Sequence, residues 1–421
     1  MKDGMWLRDN HTLDHTLDIW MKDDIWLRDN HTLDLALDIW IRDDCLGKTW
    51  PTNLDDGGGD DDDDENDDDD DMLYFQSLPV VVFFSAVISI LYYIGFMQYV
   101  VKGMAWLMQI TMGTTAIESL ASASNIFVSY VEVAPILVPY VQKLTRSELH
   151  AILTSGFATV AGSILALYIA FGAPAPHLVS ACILSAPAAL AMAKLSYPET
   201  KKSKTKTQKD VEIPESTERN FIEAAANGAM LAVKLVSGIA ACLIAFLGIV
   251  GFVNGVLAWL GAMVGIQNLN FKMICSYLLW PFAILMGVEV KDAKAVAGML
   301  GWKIFVDEVL CYRDLGHAVN AGELDNRSAV IATYACCGFG SLGAMGVALG
   351  AMLAITPPNR RSVITQLVVR ALINGNIAAF MTACVAGLLY QGDDIVYASI
   401  NETSFMDMSP VSTEPASPNV L

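Results

Sequence analysis

A helix that crosses a bilayer needs about 20 mostly apolar residues, and runs approaching or exceeding that length follow one another from Leu78 onward. Residues 78–101, 149–171, 177–195, 233–263, 271–288, 329–355 and 368–390 form the set, the fifth being shorter and carrying Pro281. In lipid every backbone polar group must be satisfied internally, which confines such a chain to helices or a closed barrel. Runs this long and continuous predict helices, so the expected fold class is an all-α membrane protein. So many long uncharged runs argue against a soluble enzyme.

The net charge of −19 is unusual beside so much apolar sequence, and it is unevenly placed. Residues 1–77 hold 24 of the 45 acidic and 6 of the 26 basic residues, a net of −18, which leaves −1 for the rest. The chain thus divides into an acidic head (1–77), an apolar body (78–392) and a polar tail (393–421). The head repeats itself at an offset of 20 residues: Trp6 to Asp14 recurs as Trp26 to Asp34. Its aspartate run, residues 60–71, is expected to stay extended and solvated. That run lacks the glycine turn and spaced ligands of a calcium-binding loop. The first residues alternate charge with Trp and Leu, so no apolar signal segment is expected there. A nucleic acid would be repelled by the head and would find no basic stripe in the body. None of the eight cysteines forms a C-x-x-C pair, and most lie in apolar runs, so they are expected to act as packing residues. Gly338-Phe-Gly340-Ser-Leu-Gly343 matches a dinucleotide fingerprint, but it follows no strand and sits in a membrane-length run.

Short basic loops stay cytoplasmic. Lys201, Lys202, Lys204, Lys206 and Lys209 follow the third run, and Arg360 and Arg361 precede the last. This sends the last span outward and places the tail, with its Asn401-Glu-Thr403 sequon, outside; Lys102 would mark an inner end for the first span and leave the head outside.

Two acids interrupt apolar stretches, and an ionisable group at membrane depth is costly unless it faces a cavity. They are Glu132 and Glu308. Asn125-Ile-Phe127-Val128 precedes the first and Lys303-Ile-Phe305-Val306 the second. Each acid is followed by a run expected to open on Gly-Phe, at Gly156 and at Gly338. Paired, interrupted segments in two halves mark a transporter built from repeats, where broken helices expose backbone groups that can hold an ion and a polar solute. Salt-bridged loop glutamates are the alternative reading of these acids.

At these residues the body resembles the concentrative nucleoside transporters, sodium-coupled symporters of nucleosides. The matches are Met112-Gly-Thr-Thr-Ala116, Gly156-Phe-Ala-Thr-Val-Ala-Gly-Ser163, Ser185-Ala-Pro-Ala-Ala-Leu190, Ile274-Cys-Ser-Tyr-Leu-Leu279, Met286-Gly-Val-Glu289 and Val368-Val-Arg-Ala-Leu372. The resemblance implies an inverted-repeat fold with a scaffold and a transport domain, a homotrimer in the plasma membrane, and no enzyme activity. It implies two re-entrant hairpins, at about 113–141 and 291–315. It implies no cofactor beyond a co-transported sodium ion, held near Asn125, Val128, Thr159 and Val160. Nucleoside contacts would fall at Tyr130, Val131, Glu132, Ile164, Glu308, Ser341 and Ala344, with Glu132 facing the base and Glu308 the ribose hydroxyls.

The chain departs from the family pattern in places. It reads Ser129-Tyr-Val-Glu132 where the family has Gly-Gln-Thr-Glu or Gly-Met-Ser-Glu, Asp307-Glu308 for Asn-Glu, and Ser341-Leu-Gly-Ala344 for Asn-Leu-Ser-Ser. Tyr130 could stack on a base or fill its place. The acidic head stands where the family has at least two further scaffold helices. These departures keep open a non-transporting paralogue that acts as a partner subunit or sensor through its acidic head.

Overall fold

The structure is a computed structural model. It describes residues 65–392 apart from 129, 171, 204, 206–217 and 267–268. The head repeat, the tail sequon and Lys204, Lys206 and Lys209 lie outside the described residues.

The described residues form helices and no strands. A first group comprises α1 (Glu65–Ile94), α2 (Phe96–Met112), α3 (Ala116–Ser124), α4 (Tyr130–Leu137), α5 (Arg146–Ala158), α6 (Gly162–Ala170) and α7 (Ala175–Ser196). Then come α8 (Phe221–Val264), α9 (Phe271–Leu278) and α10 (Trp280–Leu285). The last group is α11 (Ala293–Phe305), α12 (Glu308–Asn320), α13 (Asn326–Cys336), α14 (Leu342–Ile355) and α15 (Pro358–Leu389).

One order of elements occurs twice. A helical hairpin, α3–α4 or α11–α12, is followed by a helix broken in the middle, α5–α6 or α13–α14, and then by an uninterrupted span, α7 or α15. The start of the first repeat is fixed by local chemistry. Glu118 of α3 accepts from Thr115 N at 3.0 Å. Glu148 of α5 accepts from Thr145 N at 2.7 Å while the Thr145 hydroxyl accepts from Glu148 N at 3.1 Å, a capping box.

Several runs are divided where the sequence suggested one span. The first, 78–101, bends by 81° at Gly95, whose φ of +90° ends α1. Residues 149–171 part at 159–161, 329–355 part at 337–341, and 271–288 part at Leu279 ahead of Pro281. The Gly-Phe pairs therefore do not open helices. Gly156-Phe157 lies in the last turn of α5, and Gly338-Phe339 lies in the second break. Helix α1 begins at Glu65, inside the run expected to stay extended; acids at a helix N-terminus complement the macrodipole. The second hairpin's return arm runs on to Asn320 rather than 315.

Helices α7, α8 and α15 are each long and apolar enough to cross a membrane. Helix α8 leaves large apolar side chains open, with Phe252 75% and Trp259 63% exposed, as a lipid-facing helix would. Helix α15 is the opposite, packed against α5, α7 and α13. The main core joins Ile117, Leu137, Leu149 and Phe157 to Ile364 and Val368 of α15.

Arg360 is no free loop charge. It lies in the first turn of α15 and donates to the carbonyls of Val141 (2.7 Å), Gln142 (2.9 Å) and Leu144 (2.7 Å), closing the end of the first hairpin. Three charge-assisted bonds from a half-buried guanidinium support an expected loss of ~2–3 kcal/mol in Arg360→Ala. Thermal unfolding of the detergent-solubilised chain measures this. One cysteine pair is also not simply packed: Cys311 and Cys336 form a disulfide between α12 and α13.

Candidate functional site

The two breaks and the two hairpin tips meet. Phe339 N, in the second break, donates to Thr159 O in the first at 3.2 Å. A side chain on Gly338 would come within 2.8–2.9 Å of the carbonyls of Ala158 and Phe157, so only glycine permits this crossing. Gly162, the first residue of α6, donates to Phe127 O in the first hairpin tip at 3.1 Å. In the second half a Cβ on Gly343, near the start of α14, would meet Val306 O in the other tip at 3.1 Å. Each tip thus rests on the start of the second half of its own broken helix.

The four residues expected to hold an ion gather at the first tip and first break. Asn125 is 2% exposed; its Nδ2 donates to Ser155 Oγ at 3.0 Å, and its Oδ1 has no partner. Val128 ends the tip and is buried. Thr159 turns the chain out of α5 with extended angles (φ −110°, ψ 162°), and its hydroxyl donates to Ser155 O at 2.8 Å. Val160 follows in the break, fully buried. Neutral oxygens of a side-chain amide, a hydroxyl and backbone freed from helical bonding suit a monovalent cation.

The residues expected at the substrate divide into groups. Tyr130 and Ala344 touch: the phenol donates to Ala344 O at 3.0 Å. The Tyr130 ring lies against Phe157 (6.3 Å between centroids) and edge-on to Phe339 (5.8 Å). A small cavity beside it is lined by Asn125, Tyr130, Ile152, Gly156, Phe157 and Met352. Tyr130 therefore fills space between the first hairpin and the breaks. Ile164 is buried in α6. Ser341 caps α14, accepting from Ala344 N at 3.0 Å. Asp307, the added acid, caps α12 by accepting from Val309 N at 2.9 Å. Glu308 stands beside it, 1% exposed; neither of its carboxylate oxygens makes a close hydrogen bond, and the Ser341 side chain and the Lys303 ammonium act on it from nearby. A buried carboxylate left this way is expensive and is suited to a ligand that brings hydroxyl donors. The backbone of Val131 and Glu132 belongs to α4, but their side chains lie outside the described residues.

The family described as "Na+ dependent nucleoside transporter C-terminus" matches residues 177–387, and one described as "Nucleoside recognition" matches residues 74–175. The chain belongs to the sodium-dependent nucleoside transporter family. It is 47% identical over 326 residues to "Solute carrier family 28 member 3" of Eptatretus stoutii, covering 74% of this chain and 48% of that protein. It is 45% identical over 350 residues to "Sodium/nucleoside cotransporter 1" of Homo sapiens, covering 79% and 54%. The chain spans about half the length of the curated relatives it matches. Among solved structures it resembles CNTnw in an inward-facing substrate-bound state, with a TM-score of 0.69 and 33% identity over 75% of this chain and 74% of that one. It also resembles an outward-facing CNTnw variant, with a TM-score of 0.70 and 33% identity over 75% of each chain. The family's all-α, two-hairpin architecture of scaffold and transport domains, in a multi-pass membrane protein, is thereby that of this chain.

In this family member the structure adds residues that the sequence alone did not single out. Asn374-Gly375-Asn376 of α15 joins α5 to the second break. Asn374 Nδ2 lies 3.0 Å from His150 Nε2 in α5, and Asn376 Nδ2 donates to Gly340 O at 2.7 Å. Between them a Cβ on Gly375 would strike Phe157 at 2.7 Å. Polar residues within the apolar run 368–390 were the available signal. Glu118, fully buried, pairs with Lys194 of α7, and Glu148 accepts from the hydroxyls of Ser203 (2.5 Å) and Thr205 (2.9 Å). Their signal was the T-x-x-E spacing of Thr115–Glu118 and Thr145–Glu148.

Proposed function

We propose that this chain is the core of a sodium-coupled symporter that moves nucleosides across the plasma membrane. The observation that carries the reading is Glu308: a fully buried carboxylate with no close hydrogen bond to either oxygen, at the tip of a hairpin and one residue from its helix cap. A nucleoside's ribose presents the hydroxyl donors that such a group lacks, and charge-assisted bonds to it would be strong in a dry site. The names of the relatives, "Sodium/nucleoside cotransporter" 1 and 2, support the same substrate and ion.

In this reading Asn125, Val128, Thr159 and Val160 take the sodium ion. Tyr130, Val131, Glu132, Ile164, Glu308, Ser341 and Ala344 surround the nucleoside, Glu132 toward the base and Glu308 toward the ribose. Tyr130, bonded to Ala344 O, narrows the base side and sets selectivity toward the smaller bases. Sodium at the first tip joins the first hairpin to the break on which it rests, so ion binding favours the state that accepts substrate. The body, residues 78–392, carries this machinery, and the family resemblance supports a homotrimer.

Uptake of radiolabelled purine and pyrimidine nucleosides, in sodium and in choline, by cells displaying the chain at their surface tests the reading. Uptake that requires sodium is expected; none with any nucleoside would overturn it. Asn125→Ala removes the amide oxygen that has no partner and is expected to raise the half-saturating sodium concentration about tenfold or more, with a smaller change in uptake at saturating sodium. A sodium titration of uptake reads this directly.

A further inference from the structure

The first half of the fold gathers neutral oxygens at its hairpin tip. The second half places a charged side chain at the corresponding point. The two tips share one frame, Asn125-Ile-Phe-Val and Lys303-Ile-Phe-Val, so Lys303 corresponds to Asn125. The breaks share another, with Ser155 just before Gly156-Phe157 and Cys337 just before Gly338-Phe339. The contacts obey this correspondence. Asn125 Nδ2 donates to Ser155 Oγ at 3.0 Å. Lys303 Nζ donates to Cys337 O at 3.0 Å and to Ala335 O at 2.6 Å.

Lys303 is fully buried. Among the described residues no carboxylate lies within 4.0 Å of its ammonium. Its hydrogen bonds go to two carbonyls at the C-terminal end of α13, where the macrodipole is negative and carbonyls lack helical partners, and the Glu308 carboxylate attracts it from beyond contact distance. The Phe380 ring, 5.8 Å from Nζ, adds a π-face. A monovalent cation held by carbonyl oxygens at a broken helix is the chemistry of an ion site, with the ion tied to the chain.

We propose that the Lys303 ammonium is a built-in cation, filling the second half's counterpart of the ion site at Asn125, so that one mobile cation serves the whole chain. The proposal rests on the sodium reading above for the first site, but the pairing of Lys303 with the carbonyls of Ala335 and Cys337 stands by itself. Removing the ammonium leaves two buried carbonyls that a free cation can meet.

The test is the unfolding temperature of the detergent-solubilised full chain in choline, sodium, potassium or ammonium chloride at equal ionic strength. Lys303→Ala is expected to unfold earlier than wild type in choline. A small cation should then raise its midpoint by ~2–4 °C more than it raises that of the wild type. Lys303→Met, which fills the space without a charge, should show no such extra rise. Lys303→Asn copies the first half and carries the same readout, together with a Hill coefficient for sodium activation of uptake that climbs from about one toward about two. Equal cation effects on the wild type, Lys303→Ala and Lys303→Asn would overturn the proposal, as would failure of both variants to fold in every salt. Unfolding is read without transport, so a wild-type chain that moves no nucleoside would remove the proposed function and leave this test in force.

Discussion

Glu308→Gln is expected to cut sodium-dependent nucleoside uptake about 10- to 100-fold at unchanged surface abundance, and to raise the unfolding temperature of the same protein. The two effects share one cause. A hydrogen bond to a charged acceptor contributes about 1.5–3 kcal/mol, and each 1.4 kcal/mol is about tenfold in affinity. Glutamine keeps the shape but accepts more weakly, so substrate hydroxyls lose most of that energy. Without substrate the balance reverses. Both carboxylate oxygens of Glu308 are buried without a close hydrogen bond; burial outweighs the attraction of the Lys303 ammonium, and a neutral amide is less costly to hold there. Activity lost while stability rises is the signature of a group kept for its ligand. A purely structural glutamate would give lower stability together with lower uptake, and the paired measurements separate these cases. Uptake that survives the substitution unchanged would remove Glu308 from the substrate site.

The sequence made some of this legible and hid the rest for physical reasons. Length and apolarity announced the spans, because lipid leaves few options for the backbone. A twofold order of frame, acid, Gly-Phe run and further span was visible in the sequence, since the same local turn chemistry was needed twice. Where the long runs break was not visible. Thr159 and the segment from Cys337 to Ser341 are small or apolar residues that a hydropathy pattern passes over, and what stops each helix is its neighbour. Phe339 N bonds Thr159 O, so the geometry of each break is set by the other. Gly95 was likewise one apolar residue among many until its φ of +90° turned the chain by 81°. At the candidate site, Glu308 could be named from sequence because it is an ionisable group out of place, and Asn125 through the family resemblance. The roles of Asp307 and Ser341 could not. Each spends its side chain on capping a helix, and a cap is recognised only once the helix start is known. Lys303 read as part of a frame, and its partners are carbonyls, which carry no sequence signal at all.

The contact between the two breaks also predicts the most damaging small change in the body, Gly338→Ala. The added methyl would sit 2.8 Å from Ala158 O and 2.9 Å from Phe157 O. Those atoms are backbone, fixed by the end of α5, and cannot turn aside as a flexible side chain could. Gly338 also has a φ of +111°, which an alanine adopts only under strain. Overpacking and backbone strain together should cost ~3 kcal/mol or more. Relief is available only by parting the breaks, which lengthens the Phe339 N to Thr159 O bond and shifts Thr159, an expected ion ligand. The unfolding midpoint should therefore fall by ~5 °C or more, and the half-saturating sodium concentration for uptake should rise even though the residue touches no ion. Gly346→Ala supplies the control: that glycine lies in α14 with nothing within 4 Å of a built Cβ, and alanine there should stabilise the helix by ~0.5–1 kcal/mol. Equal midpoints for wild type and Gly338→Ala would mean that the breaks do not meet as described. A lowered midpoint with unchanged sodium dependence would separate the crossing from the ion site and place Thr159 outside it.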